Sequence, residues 1–163
     1  AAQVHPIVDL QIEYSLVTRG PEARIFPVLD ELGIGVTAYG VLSRGLLSAS
    51  QPAASGDLRS RLPRFTGDNL VHNKHLVAQL TEIANGKGIT PAQLAVAWVL
   101  SKSSSIVPVI GARTRSQLTE TLHAIDVKLS ARELAAIEAA VPPAAVAGTR
   151  YDEHQMRVLD SEK

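Results

Sequence analysis

The chain has 163 residues, of which 45% are apolar and 20% charged, a composition typical of a globular protein and not of a disordered one. Lysine plus arginine and aspartate plus glutamate number 16 each, so no net field attracts nucleic acid or an anionic membrane. The sequence contains no cysteine, which excludes disulfides and thiolate chemistry. No apolar run reaches the length of a membrane span, the first residues do not form a signal peptide, and we therefore expect a soluble, cytoplasmic protein.

The first part of the chain has the pattern of strand, helix and strand. Residues 1–6 look like the last turn of a helix that stops at a proline without a start signal, which indicates that part of the domain lies upstream. The apolar run 7–13 predicts a buried strand. Residues 22–32 have helical spacing, although Pro27 should kink this helix or mark its true first turn. The β-branched run 34–39 predicts the second strand.

The middle of the chain begins with a long irregular segment, residues 40–68, rich in Ser, Gly, Pro and Arg. A loop of this length inside a compact domain is usually functional or disordered. Residues 69–85 then predict an amphipathic helix. A second helix is predicted over 90–102, with Thr90 as N-cap and Gln93 completing a capping box.

The last part of the chain predicts a strand over 106–109, a helix over 116–125, a helix that opens with a capping box at Ser130 and ends near Ala140, and a tail over 144–163. Strands that alternate with helices predict a parallel sheet. Three parallel strands are too few to close a barrel, and they leave two open edges and an apolar inner face.

The clearest candidate ligand site lies in residues 107–121. An apolar run ends at Gly111, Arg113 and Arg115 follow, and then a helix opens. A strand that feeds a helix N-terminus through glycine presents free backbone N–H groups, and arginine adds a forked positive charge suited to phosphate. The residues alone leave open whether this segment binds a phosphate or is a turn with two solvated arginines.

Four segments, in order along the chain, resemble the aldo-keto reductase family, NADP(H)-dependent carbonyl reductases built on an (α/β)8 barrel. They are Gln11-Ile-Glu-Tyr-Ser15, Gly33 to Gly45, Thr90 to Trp98 and Val107 to Thr121. The resemblance implies an α/β fold in which residues 1–163 are a single partial domain, the C-terminal part of a TIM barrel with strands six to eight and a tail over 144–163. The family carries its catalytic Asp, Tyr, Lys and His on N-terminal strands that have no counterpart here, so we assign no catalytic residue.

The resemblance also implies roles in cofactor binding for the 107–121 segment. The residues at the adenosine 2′-phosphate are then Gly111, Ala112, Arg113 and Arg115. Those that reach the adenosine are Gln117, Glu120 and, where the family usually has Asn, Thr121. Arginine in place of an acidic residue near the ribose implies NADP(H) and not NAD(H).

Residues 39–45 resemble the family segment Tyr-Ser-Pro-Leu-Gly-Arg-Gly. Tyr39 matches the position that stacks on nicotinamide, although a lone tyrosine fits a core aromatic better. Gly40 and Val41 replace Ser and Pro, while Ser43 stands where the family often has Gly and offers a hydroxyl donor. The remaining contacts to the pyrophosphate are implied for Leu42, Arg44 and Gly45.

Three further features are weaker. Gln11 in the first strand is by itself a structural amide that needs a partner when buried, whereas the resemblance implies that it binds the nicotinamide carboxamide. His72 and His75 lack a third ligand, so a solvated helix face is favoured and no metal is expected. Arg150 and Tyr151 could reach the barrel mouth, but a tail packed on the surface is the favoured interpretation.

The sequence therefore predicts an NADP(H)-dependent oxidoreductase that reduces aldehydes or ketones to alcohols, with this chain supplying the cofactor-binding portion. Its partners would be a small-molecule carbonyl substrate and either the missing N-terminal half or a second copy, with no nucleic acid, membrane or metal. The isolated chain should be inactive. The alternative is a non-catalytic NADP(H)-binding or oligomerising half-barrel that acts as an interaction module.

Overall fold

A parallel sheet, whose strands lie side by side in the order in which they follow one another in the sequence, organises the fold. The computed structural model describes residues 1–48 and 56–159. Its strands are β1 (Asp9–Glu13), β2 (Gly35–Tyr39) and β3 (Ile106–Pro108). Its α-helices are α1 (Pro21–Arg24), α2 (Phe26–Leu32), α3 (Gly67–Gly86), α4 (Pro91–Leu100), α5 (Arg115–Leu122), α6 (Ala131–Ala140) and α7 (Glu153–Arg157).

Side-chain caps fix where the longer helices begin. The predicted capping boxes at Thr90 and Ser130 are both present. A third capping box joins Thr114 to Gln117, which the sequence analysis did not identify, so α5 begins at Arg115, one residue before the predicted start. In each box a hydroxyl accepts a hydrogen bond from an otherwise unpaired backbone N–H group of the first turn.

Pro27 marks the first turn of a separate helix, the second of the two outcomes predicted for it, and does not kink one continuous helix. The predicted helix 22–32 is two helices, α1 and α2, that meet at Ile25. Pro27 has no N–H group to donate to the preceding turn, so the helix restarts with proline in its first turn. Gly33 ends α2 in the left-handed conformation, with φ of +65°, as a glycine after a helix often does.

The predicted irregular segment 40–68 contains short 3-10 helices at Ser43–Ser48, Leu58–Arg61 and Pro63–Phe65. Part of it, residues 49–55, lies outside the described residues. The helix that follows is α3, which begins at Gly67 and so two residues before the predicted start. The tail is also more structured than predicted, with a 3-10 helix at Pro143–Ala145 and the short helix α7.

The hydrophobic core lies between one face of the sheet and the helices. Residues 92–99 of α4 are all buried, as the apolar sequence of this helix predicts. Trp98 and Tyr14 are both 0% exposed and stack with their ring centroids 5.4 Å apart. The Tyr14 hydroxyl donates to Glu22 at 2.6 Å, which satisfies the polar end of a buried aromatic.

In the part of the chain that the structure describes, much of the opposite face of the sheet is open, and it is less apolar than predicted. On β1 and β2 this face carries Asp9, Gln11 and Thr37, and the Thr37 hydroxyl donates to the Asp9 carboxylate. Apolar side chains are exposed at the β3 end, where Val107 is 61% and Val109 48% exposed. The prediction of an apolar inner face is therefore wrong for β1 and β2, because alternate residues of these strands are polar.

Candidate functional site

The carboxyl ends of the three strands meet at one end of the sheet. Glu13 lies opposite Tyr39 in the β1–β2 register. The Val109 N–H donates to the Ala38 carbonyl at 2.8 Å, which extends the β2–β3 pairing beyond β3. Because parallel strands share one direction, the segments after β2 and β3 come together here.

Those two segments form a cavity of about 440 Å³. Its lining residues are Gly40, Val41, Leu42, Arg44, Gly45, Ser48, Arg59, Val109, Ile110, Gly111, Arg113 and Gln117. A neighbouring cavity of about 280 Å³ shares Leu42, Ser48, Gly111 and Gln117 and extends to Ala92, Glu120 and Thr121. We refer to the two adjoining cavities together as the arginine groove.

Most of the residues predicted to bind cofactor line the arginine groove. From the segment after β2 these are Gly40, Leu42, Arg44 and Gly45; from the segment after β3 they are Gly111, Arg113, Gln117, Glu120 and Thr121. The remaining predicted residues, Gln11, Tyr39, Ser43, Ala112 and Arg115, do not line either cavity in the described part of the chain. The structure thus brings together two segments that are far apart in the sequence.

Gln11 and Tyr39 lie on the open face of the sheet. Gln11 is exposed, so it is not the buried structural amide that its apolar neighbours in the sequence predict. Tyr39 is half-buried and lies outside the hydrophobic core cluster, contrary to the core interpretation of this residue. Burial raises the pKa of the Tyr39 phenol, and nearby Tyr151 and Glu13 raise it further.

The turn after β2 has an unusual backbone. Gly40 has a φ of +68°, and the non-glycine residues Ser43 and Arg44 have φ of +46° and +53°. The left-handed region costs an ordinary residue about 1–2 kcal/mol, and such residues cluster at functional sites. Ser43 is 1% exposed, and its hydroxyl has no hydrogen-bond partner among the described residues. The replacement of the family's Ser by Gly40 has a physical reason, because a Cβ there would lie 2.9 Å from Cγ of Glu13.

At the other side of the groove, part of the predicted anion site is already bonded within the protein. The Gln117 side-chain oxygen accepts from the backbone N–H groups of Arg113 at 2.9 Å and Thr114 at 3.3 Å. The prediction of a cluster of free backbone donors is therefore wrong for these two groups, because the capping glutamine occupies them. The Arg113 side chain nevertheless lines the groove, whereas the exposed Arg115 does not.

Packing of α4 against α5 positions the second cavity. The Gln93 side chain is buried, and its Nε2 donates to the Glu120 carbonyl at 2.8 Å. The same side chain completes the capping box at Thr90. Gln93 therefore holds Glu120 and the adjacent wall of the groove, a role that its cap position alone did not predict.

Basic side chains line the larger cavity of the groove. Arg44, Arg59 and Arg113 line the larger cavity, and none of its described lining residues is acidic. Arg59 pairs with Asp57 at 2.6 Å and also donates to the Arg44 carbonyl at 3.1 Å, so it ties the long segment to the turn after β2. Arginine is suited to ligands with phosphate groups because its planar fork matches two phosphate oxygens.

A buried ion pair lies directly beneath the turn after β2. Glu13 is 1% exposed, and its Oε2 lies 3.2 Å from Nη1 of Arg150 and 3.7 Å from Nη2 of Arg44. The interpretation of the tail as surface-packed is therefore wrong for Arg150, which the Glu13 carboxylate holds in the interior. Glu13 follows the buried Ile12 at the carboxyl end of β1, and an acidic residue at such a strand end was the signal that could have identified it as part of the site.

Two other features of the described residues bear on the nature of the site. In residues 1–48 and 56–159 no group of three or more His, Asp or Glu side chains is arranged to hold a metal ion. His72 instead has its Nε2 2.7 Å from the Ala145 carbonyl oxygen. No helix in the same ranges is long and apolar enough to cross a membrane.

With the fold and the groove described, the chain can be compared with known proteins. The model of the aldo/keto reductase family matches residues 1–142. The chain is 40% identical over 154 residues to probable aldo-keto reductase 1 from Glycine max, an alignment that covers 93% of this chain and 44% of that protein. The chain belongs to the aldo/keto reductase family.

Solved structures agree with this assignment. A glycerol dehydrogenase from Gluconobacter oxydans matches 86% of this chain and 45% of its own, with 27% identity and a TM-score of 0.76. A thermostable aldo-keto reductase in complex with the inhibitor epalrestat matches 80% of this chain and 38% of its own, with 26% identity and a TM-score of 0.59. The chain spans less than half the length of these relatives, and its three-stranded sheet fits part of the family's barrel.

Proposed function

We propose that this chain supplies the cofactor-binding portion of an NADP(H)-dependent aldo-keto reductase that reduces aldehydes and ketones to alcohols in the cytoplasm. The observation that carries the proposal is the arginine groove. Two segments that are distant in sequence converge there and contribute Arg44, Arg59 and Arg113 to one cavity without an acidic lining residue in the described part. A dinucleotide with three phosphates is the ligand class that this charge distribution favours.

We assign a different part of the dinucleotide to each region of the groove. Arg113 is suited to the 2′-phosphate, and Gly111 leaves open space beside it because a Cβ there would meet no atom within 4 Å. Glu120 and Thr121 line the smaller cavity, which we assign to the adenosine. The strained turn at Ser43 and Arg44 is assigned to the pyrophosphate, and the unpartnered Ser43 hydroxyl is available as a donor there.

The nicotinamide end is assigned to the open face of the sheet. Gln11 and Tyr39 lie on this face of neighbouring strands, with Gln11 suited to the carboxamide and Tyr39 to the ring. When bound, the cofactor supplies the hydride, and the residues of this chain bind and orient it. We assign no proton donor within residues 1–163, and the carbonyl substrate is placed by the rest of the barrel.

The position of the groove also supports an assignment of strands. In (β/α)8 barrels phosphate sites commonly lie on the loops after strands seven and eight. The groove is lined by the segments after β2 and β3. We therefore assign β1, β2 and β3 to strands six, seven and eight of the barrel.

A second candidate function is a half-barrel that binds NADP(H) and acts through association with another chain. The open sheet face and the exposed Val107 and Val109 favour it, because unpaired strand edges and exposed apolar residues promote pairing. Sedimentation of residues 1–163 and NADPH oxidation with a panel of aldehydes separate the candidates. Turnover by the protein from its full reading frame supports the enzyme, whereas NADPH binding without turnover supports the interaction module.

The test of the cofactor assignment compares two neighbouring arginines. Of these two, Arg113 lines the groove and Arg115 does not. Arg113→Ala should therefore weaken NADPH binding by about tenfold or more, the loss expected for one charge-assisted phosphate contact. NADH, which lacks the 2′-phosphate, should be affected much less. Arg115→Ala is the matched control and should leave both affinities nearly unchanged. Equal weakening of both cofactors by Arg113→Ala would remove the assignment of this residue to the 2′-phosphate.

A further inference from the structure

The tail of the chain returns to the candidate site and is fixed there by buried polar contacts. We call residues 145–151 the tail segment. Asn73 of α3 is 1% exposed and exchanges two hydrogen bonds with the Ala147 backbone, one in each direction at 2.9 Å. Asn73 also donates to the Arg64 carbonyl at 3.1 Å, so one amide joins the tail segment to the segment before α3. This is a specific attachment, because a buried amide is costly unless it is hydrogen-bonded.

A glycine lets the tail segment pass close to the body of the protein. Gly148 has a φ of +78°, and a Cβ at this position would lie 2.9 Å from the carbonyl of Pro63. The Arg64 Nε donates to the Gly148 carbonyl at 3.2 Å. The chain therefore turns at Gly148 against a fixed backbone, and this turn directs Arg150 inward.

Arg150 ends in the interior, against the carboxylate of Glu13. The two side chains are 2% and 1% exposed, and Nη1 of Arg150 lies 3.2 Å from Oε2 of Glu13. Thr18 donates to the other carboxylate oxygen at 3.3 Å and itself accepts from Arg64 at 2.7 Å. Without Arg150 the buried Glu13 carboxylate would keep the Thr18 hydroxyl and the more distant Arg44 but lose the positive charge 3.2 Å from it, a costly loss in the interior. The position of Glu13 therefore depends on the tail segment.

Glu13 in turn supports the turn after β2. Its Cγ would lie 2.9 Å from a Cβ at position 40, so the side chain packs directly against the Gly40 backbone. Gly40 directly follows Tyr39, which lies on the open face, and is the first residue of this turn that lines the groove. Glu13 also attracts Arg44, whose Nη2 lies 3.7 Å from the carboxylate.

Tyr151 covers the same turn from outside. The guanidinium carbon of Arg44 lies 4.7 Å from the centre of the Tyr151 ring, and that of Arg150 lies 5.5 Å from it. Burial contributes most to the raised pKa of Tyr39; Tyr151, through its charge and a hydrogen bond, and Glu13 raise it further, while Arg150 lowers it. The tail segment thus contacts Tyr39 and Arg44 through Tyr151, and it contacts Glu13, which packs against the turn between them, through Arg150.

We propose that Arg150 is a positioning residue for the cofactor: through buried Glu13 it holds the Gly40 turn, and so orients Tyr39 and Arg44 toward the nicotinamide and pyrophosphate half of the dinucleotide. This proposal rests on the proposed function. It concerns only one half of the ligand, because the proposed function assigns the adenosine half to Arg113, Glu120 and Thr121, which belong to a different segment. A residue that merely stabilised the fold would affect both halves equally.

The experiment measures the affinity of two ligands for the protein expressed from its full reading frame. NADPH reports on the whole groove, whereas adenosine 2′,5′-bisphosphate reports on the adenosine half alone. Arg150→Met keeps the length of the side chain and removes its charge; we expect NADPH affinity to fall by about tenfold or more and bisphosphate affinity to stay within about twofold. Arg150→Lys should recover part of the NADPH affinity, and Arg157→Met, in exposed α7 of the same tail, should change neither affinity.

The possible results separate the two proposals. A wild-type protein that binds neither ligand would overturn the proposed function and the role of Arg150 with it. Wild-type binding with equal losses of both ligands in Arg150→Met, or with no loss of either, would overturn the positioning role alone. If Arg150→Met does not fold, the double variant E13Q/R150M removes both buried charges and takes its place. A selective loss of NADPH in the double variant supports the proposal, and wild-type affinity for both ligands contradicts it.

Discussion

Arginine is present both in the groove and beneath it, in two different environments. Arg113 is exposed and lines an open cavity without an acidic neighbour among the described lining residues. Arg150 is 2% exposed and pairs with a carboxylate that is 1% exposed. The first arginine is available to a ligand, whereas the second is committed to the structure. The difference shows that the role of an arginine follows from its surroundings, which the residue type alone does not reveal.

The largest effect should follow from breaking the buried pair. Glu13→Ala removes the carboxylate that lies 3.2 Å from Nη1 of the buried Arg150. We expect the free energy of unfolding to fall by about 3–5 kcal/mol, the usual cost of breaking a buried ion pair. Arg113→Ala, in the open groove, should change it by less than about 0.5 kcal/mol. Urea denaturation of the two variants measures both values, and similar losses would contradict the contrast between the two arginines.

The next effect isolates the contact between Glu13 and the turn. Gly40→Ala should cost about 2–3 kcal/mol, because it combines a left-handed φ with a Cβ 2.9 Å from Glu13. Gly33→Ala is the matched control, since Gly33 has a similar φ of +65° but open space around the added Cβ. That variant should cost only about 1 kcal/mol. Equal thermal destabilisation by the two substitutions would show that Glu13 does not restrain the turn.

A smaller effect on stability, but a clear one on binding, is expected at the strand end. Tyr39 is half-buried, so Tyr39→Ala should lower the melting temperature of the ligand-free protein only slightly while it weakens NADPH binding. Tyr14→Ala removes a tyrosine that is 0% exposed and should cost about 3–5 kcal/mol. Melting curves with and without NADPH compare the two variants. A large loss in ligand-free Tyr39→Ala would place this ring in the core.

The smallest effect should come from a partly exposed ion pair, which contrasts with the buried one. Lys87 lies 2.6 Å from Glu133 and, together with the Ser130 cap, lowers the pKa of this carboxyl from 4.5 to about 2. A lowered folded-state pKa means that the contribution to stability is present above the unfolded value and is lost as the pH falls toward 2. Glu133→Gln should therefore make the free energy of unfolding less dependent on pH between 4.5 and about 2. An unchanged acid unfolding profile would show that the pair contributes nothing.

Local patterns in the sequence account for most of the fold. Thr90 and Ser130 open helices where their capping boxes predict, and Pro27 interrupts a helix where its missing N–H group predicts. These features involve residues three or four positions apart, so the sequence contains both partners side by side. The cap at Thr114 was missed because the arginines around it suggested a ligand site instead.

The contacts of the tail could not be predicted in the same way. Asn73 meets Ala147, and Glu13 meets Arg150, across long stretches of chain. No local pattern encodes such a meeting, because it depends on how the complete set of elements packs. The exposure of Gln11 was missed for a related reason: its face of the sheet is uncovered at this position by residues 1–48 and 56–159, although its neighbours in the sequence are apolar.

The most direct test of the central claim is the affinity of the unmodified protein for the two nicotinamide dinucleotides. The arginine groove, with Arg113 at one end, should distinguish them by the 2′-phosphate alone. Isothermal titration of the protein from its full reading frame should give a dissociation constant for NADPH at least about tenfold below that for NADH. Equal constants for the two, or no binding of either, would contradict the account.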